Sequence, residues 1–159
     1  MSPPQMVMYE EEFKQISTIC ERLTKEANAK VVFLVDKNGQ LLASAGDTAN
    51  IDTTSLASLT AGNIAATGGL AKLIGEKEFA SQYHEGERDN FHISIVASRV
   101  ILVVIFGERA TLGLVRLRVK KASEELAGIF NSLIQKVENP SQAPFAEITD
   151  EDIDNLFSE

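Results

Sequence analysis

Apolar residues recur every three or four positions from Tyr9 to Ala27, through Phe13, Ile16, Cys20, Leu23 and Ala27. That is the repeat of a helix with one buried face. The period then changes. Lys30 to Asp36 reads KVVFLVD, β-branched and apolar, and Asn38-Gly39 is a tight-turn signal before Gln40 to Ala45, so a β-hairpin is expected. A second helix follows, opened by Asp52 or Thr53 as N-cap and running to about Ile74, where Gly75 can supply the C-terminal turn.

Three further strands are expected at Glu78 to Glu85, Phe91 to Ala97 and Val100 to Phe106, the last two joined at Ser98-Arg99. The wholly apolar VILVVIF of the third belongs in the middle of a sheet, because both its faces need cover. Gly107 ends it. Thr111 can cap a third helix whose stripe is Val115, Val119, Ala122, Leu126, Ile129 and Leu133, running to about Lys136. The order α-β-β-α-β-β-β-α predicts an α+β fold in which a five-stranded antiparallel sheet lies between helices. No internal repeat is visible.

The boundaries expected from this pattern are a flexible N-terminus over residues 1–8, a single folded domain over 9–138, and an acidic flexible tail over 139–159. The tail opens on the unpatterned linker NPSQAPFAE and contains a short helix-prone stretch, ITDEDIDNLF. A chain of 159 residues suits one domain with a single core and is too short for two ordinary domains side by side. Its 44% apolar and 24% charged content lies near globular averages, so neither disorder nor a membrane class is indicated for the whole.

Charge sharpens this picture. The tail holds six acids (Glu147, Asp150, Glu151, Asp152, Asp154 and Glu159) and no Lys or Arg, leaving −2 of the total −8 to residues 1–138. Nucleic acid is therefore not an expected partner. No run approaches the roughly 20 apolar residues of a membrane span, and the N-terminal MSPPQMVMYEEEF lacks the basic-then-apolar order of a signal peptide. A cytoplasmic protein without membrane insertion is the expectation. The single cysteine, Cys20, sits on an apolar helix stripe and is expected to be a small buried side chain.

Enzymatic chemistry finds little support. TAGNIAATGGLAK, from Thr60 to Lys72, lacks the G-x-x-x-x-G-K-[ST] spacing of a phosphate-binding loop and lies within a helix pattern. His84 and His92 fall on adjacent strands and could approach each other, but no third ligand accompanies them, so one or both are expected on an exposed strand face. Ser55, Ser58 and Ser94 lack a nucleophile-elbow context. No catalytic residue, metal site or cofactor is expected.

The second helix has two apolar faces. Leu56, Leu59, Asn63, Ala66, Leu70 and Leu73 share one side, assigned here to the chain's own sheet. Ala57, Ala61, Ile64, Gly68 and Lys72 line the other, flanked by Ala65, and are assigned to a partner. The alternative is that another element of the same domain covers them. Mid-helix Gly68 and Gly69 cost about 1 kcal/mol each relative to Ala, so a packing reason is expected.

The segments IDTTSLASLTAGNIAATGGLAKLIGEKEF, VILVVIFGERATLGLVRLRVKKASEELAGIF and PFAEITDEDIDNLFSE, with VMYEEEFKQI and AKVVFLVDKNGQLLAS, resemble the gliding-motility branch of the Roadblock/dynein-light-chain superfamily over nearly the whole chain. The resemblance implies the Roadblock fold and a homodimer joined through sheet edges and second helices. It also implies binding to a Ras-like small GTPase of MglA type in its GTP-bound state. The implied role is that of a GTPase-activating protein in cell polarity and gliding motility, concentrated at a cell pole and working without an arginine finger. Arg88, Arg99 and Arg109 are the loop arginines such a finger would require, and nothing in the sequence around them marks one out. The resemblance further implies that the tail promotes nucleotide exchange, with Phe145, Ile148, Ile153, Leu156 and Phe157 as its apolar contacts. A scaffold that recruits a GTPase without altering its turnover remains the alternative.

Overall fold

The computed structural model describes residues 10–138, so the expectations for residues 1–8 and for the tail lie outside the described residues. Its elements are α1 (Glu10–Glu26), β1 (Val31–Asp36), β2 (Leu41–Gly46), α2 (Thr53–Leu73), β3 (Ser81–His84), β4 (Asn90–Val96), β5 (Val100–Phe106) and α3 (Leu112–Glu138). The strands form one sheet in the order β2-β1-β5-β4-β3, and every neighbouring pair is antiparallel. β5 is central and all seven of its residues are buried, as its unbroken apolar run requires.

Side-chain alternation divides β1 and β5 between two cores. Val32, Leu34, Leu102, Val104 and Phe106 meet Ile16, Cys20 and Leu23 of α1 and Val115, Leu126 and Phe130 of α3. Val31, Phe33, Val35, Ile101, Val103 and Ile105 face the other way, toward Ala57 and Ile64 of α2. The sheet therefore lies between two helices and one. Each large side chain buried this way contributes about 1.5–3 kcal/mol, so the first core dominates stability.

Local chemistry sets the element ends. Asp52 caps α2, its carboxylate accepting from the Ser55 backbone N–H at 3.1 Å and from the Ser55 hydroxyl at 2.7 Å. Those bonds, the Ser55 hydroxyl first, hold the Asp52 carboxyl below its ordinary pKa. Thr111 caps α3 through a 3.1 Å bond from the Leu114 N–H. In the β1–β2 turn Asp36 accepts from the backbone N–H groups of Asn38 and Gln40, while Gly39 takes φ 91°.

Most boundaries differ from the sequence pattern by a residue or two, and β3, one of the sheet's two outer edges, differs most, pairing only through Ser81 to His84. The β4–β5 turn is centred on Ala97 and Ser98, both at positive φ, rather than on Ser98-Arg99. That geometry matches the right-handed twist of the flanking strands.

α2 is rotated about its axis from its expected orientation, although Leu56, assigned to the sheet, is half-buried against it. Ala57 and Ile64, assigned to a partner, are buried on the sheet, and Ala61 and Gly68 are half-covered; only Ala65 and Lys72 of the six are exposed. Leu59, Leu70 and Leu73, assigned to the sheet, are 73%, 58% and 83% exposed. The cause is steric. The sheet face below is filled by Phe33, Val35, Ile101 and Val103, and the β1–β2 turn rises beside the helix, so that a Cβ on Gly39 would lie 3.3 Å from the Ser58 Cα and 3.6 Å from the Ala61 Cβ. Small side chains let α2 approach that surface where leucines would hold it away. The alternative left open by the sequence, cover from the same domain, holds for this face.

Candidate functional site

α2 crosses the sheet from the β1–β2 turn toward β3. At the far end the Gln82 side-chain amide of β3 donates to the Thr67 hydroxyl at 2.9 Å. Helical spacing places Asn63 and Leu70 nearest Thr67 around the helix, with Leu59, Ala66, Gly62 and Leu73 toward the crest. This flank therefore leans over the edge strand. β3 has a neighbour on one side only, so its second edge carries open backbone donors and acceptors among the described residues.

The surface so formed is apolar, and Lys72 on the opposite flank is the single charged residue of α2. Three leucines more than half exposed on one helix exceed the scattered apolar exposure of an ordinary surface. A Cβ added at Gly62, Gly68 or Gly69 would meet nothing within 4 Å. Close packing within the chain is therefore not what these glycines serve. A helix flank beside an open sheet edge can do one thing chemically, which is to bury itself against another protein surface while the edge gains strand pairing.

The other sequence candidates are dispersed. β3–β4 register pairs Tyr83 with His92 and His84 with Phe91, so the two histidines point to opposite faces. His84 is exposed, whereas His92 is buried, with its Nδ1 unpartnered, as is the Ser94 hydroxyl. Burial, and next the positive charge of Arg116, hold the His92 pKa below its ordinary 6.5. Among the described residues no group of three His, Cys, Asp or Glu side chains could hold a metal ion. Cys20 is fully buried, and burial, reinforced by the charge of Glu21, pushes its thiol up to about 12, which removes the thiolate needed for nucleophilic attack.

Of the loop arginines, Arg99 stands exposed beyond the β4–β5 turn. Arg88 and Arg109 line one cleft of about 850 Å³ together with Lys25, Lys30 and Glu108. Nothing in the sequence signals this grouping, since its cations come from segments far apart along the chain. The five apolar tail residues Phe145, Ile148, Ile153, Leu156 and Phe157 lie outside the described residues. No described helix is long and apolar enough to cross a membrane.

Comparison with known proteins gives a consistent picture. The Roadblock/LC7 domain model matches residues 15–106. The structure is similar to that of Myxococcus xanthus MglB, with 72% sequence identity and a TM-score of 0.76 over 80% of this chain and 96% of that one. It is also similar to the gliding protein MglB of Thermus thermophilus, at 35% identity and TM-score 0.77 over 82% and 99%. A further MglB, described with a tetrameric arrangement, is 34% identical with TM-score 0.77 over 83% and 99%. No match is found among curated protein sequences.

Proposed function

Since the chain belongs to the Roadblock/LC7 domain family and is an MglB-type regulator within it, we propose that it acts as a homodimer and as the activating protein of a Ras-like small GTPase of MglA type. The observation that carries this reading is the leucine flank of α2 beside the open edge of β3. A second copy related by a two-fold axis satisfies both at once. It extends the sheet through β3 and covers Leu59, Leu70 and Leu73 with their own counterparts. The tetrameric arrangement described for one MglB relative supports self-association.

In this reading the two α2 helices lie side by side, and the GTP-bound GTPase rests on the platform they form. Ala65 and Lys72, both exposed on α2, are accessible to it. GTPase switch segments change shape with the nucleotide, so a flat preformed platform can select the GTP state. Activation proceeds by holding the GTPase's own catalytic side chains in place, a preorganisation effect that requires no residue from the regulator in the GTPase site. The protein works in the cytoplasm, near a cell pole, in the control of polarity and gliding. Residues 139–159 promote nucleotide exchange through a separate contact.

The test is co-elution with the cognate GTPase loaded with a non-hydrolysable GTP analogue or with GDP. Binding to the GTP state alone supports the reading, and equal binding to both states contradicts it. Deleting residues 139–159 is expected to leave that binding and the dimer intact while lowering the rate of nucleotide exchange. An unaltered exchange rate contradicts the role given to the tail.

A further inference from the structure

The cleft that gathers Arg88 and Arg109 plays no part in the platform. Lys25 enters it from the last turn of α1, Lys30 from the start of β1, Arg88 from the β3–β4 turn and Arg109 from the β5–α3 connection. Lys30 is neutralised by Asp89 at 2.6 Å. Lys25, Arg88 and Arg109 have no carboxylate within 4.0 Å among the described residues, and Glu108 is the one acid lining the cleft. Three cations without an ion-pair partner among the described residues thus border one cleft, and such a local excess of positive charge attracts an acidic ligand.

We infer that this cleft docks the acidic residues 147–154 of a second copy's C-terminal segment. That stretch, EITDEDID, supplies five carboxylates, and residues 139–159 contain no cation to compete for them. The cations stand on separate elements around an open cleft of about 850 Å³ rather than converging on one point, which suits a run of carboxylates better than a single small anion. The two guanidinium groups can each take a carboxylate through paired N–H donors.

Reach selects the second copy. The cleft lies at the N-terminal end of α3, whose 27 residues span about 40 Å. From Glu138 to Asp150 is a further twelve residues, about 40–43 Å only when fully stretched, and Glu147 falls short at about 30–32 Å, so a chain cannot seat the whole run 147–154 in its own cleft. In the dimer proposed above, on which this step rests, β3 meets β3 with both α2 helices on one side of the sheet. That symmetry makes the edges antiparallel and reverses the partner's α3. Its C-terminal end then lies at the same end of the sheet as this cleft, about 20–24 Å away across four or five strand spacings. Asp150 of the partner subunit covers that distance with slack. A segment held this way is withheld from the GTPase, so docking is a salt-sensitive restraint on the exchange role.

The experiment uses the full-length protein. Unlabelled and ¹⁵N-labelled copies are mixed, allowed to exchange subunits, and coupled with a zero-length carbodiimide reagent at low salt; light scattering records the mass of the same sample. Isopeptide links from Lys25 or Lys30 to acids of residues 147–154 are expected, about half of them joining light to heavy chains. They should fall about fivefold or more in the double variant Arg88→Ser with Arg109→Ser, and likewise at about 0.5 M NaCl. A dimer without these links, links confined to one isotope, or links unaffected by the double variant would overturn the docking and leave the dimer standing. A monomer mass would overturn both.

Discussion

Gln82 on the edge strand donates to the Thr67 hydroxyl at 2.9 Å, and Thr67 donates in turn to the Asn63 carbonyl at 2.8 Å. This relay fixes the C-terminal half of α2 against the open edge of the sheet, so that leucine flank and strand edge present one continuous surface. Replacing Gln82 by Ala should cost about 1 kcal/mol, a typical net hydrogen-bond contribution. Amide exchange at residues 66–73 should quicken by roughly fivefold, with α1 and α3 unaffected. Unchanged protection of that half-helix would show that the bond does not position it.

The orientation of α2 separates two neighbouring residues. Ile64 is 8% exposed over Phe33 and Val103, whereas Ala65 is exposed. Arg at Ile64 places a charge among apolar side chains and should destabilise the fold by about 3 kcal/mol or more, read from chemical denaturation. Arg at Ala65 should stay within about 0.5 kcal/mol of wild type and act on GTPase binding alone. Equal stabilities for the two variants would contradict the observed orientation.

The leucine flank yields a change of mass. Leu70→Asp adds a charge to the proposed two-fold contact without touching the chain's own core, since Leu70 is 58% exposed. The variant should scatter light as a monomer at micromolar concentration with its far-UV circular dichroism preserved. A folded variant that remains dimeric would place the interface elsewhere.

His92 gives a pH dependence of known sign. Its folded-state pKa is lowered, so the unfolded chain binds the proton more readily. The neutral ring's contribution is complete above the unfolded value of 6.5 and is lost as pH falls below it. The melting temperature should drop between pH 7.5 and 5.5, and by less in His92→Gln. The groups to control for are Arg116 and the cross-strand Tyr83. An identical drop in both proteins would assign the effect to other groups.

Much of the fold was legible because period and turn chemistry are local. VILVVIF could lie only at the sheet centre, Asn38-Gly39 could only turn, and Asp52 and Thr111 stand where α2 and α3 begin. The orientation of α2 was not legible. Both of its sides are apolar, so helical spacing identifies two faces without saying which meets the sheet; that is decided by the bulk of Phe33 and Val35 and by the height of the Gly39 turn. The cleft was hidden for a related reason. Lys25, Arg88 and Arg109 are far apart in sequence, and only the pairing of β5 with both β1 and β4 brings their segments together.

Single-turnover GTP hydrolysis by an MglA-type GTPase, with and without this protein, separates an activating regulator from a recruiting scaffold. Marked acceleration by the wild-type protein is expected. Arg88→Ala, Arg99→Ala and Arg109→Ala should each retain rates within about tenfold of wild type, because the proposed mechanism uses no inserted arginine finger, which would contribute about 10³–10⁵ in rate. No acceleration by the wild-type protein, or a thousandfold loss in one of these variants with binding preserved, would contradict it.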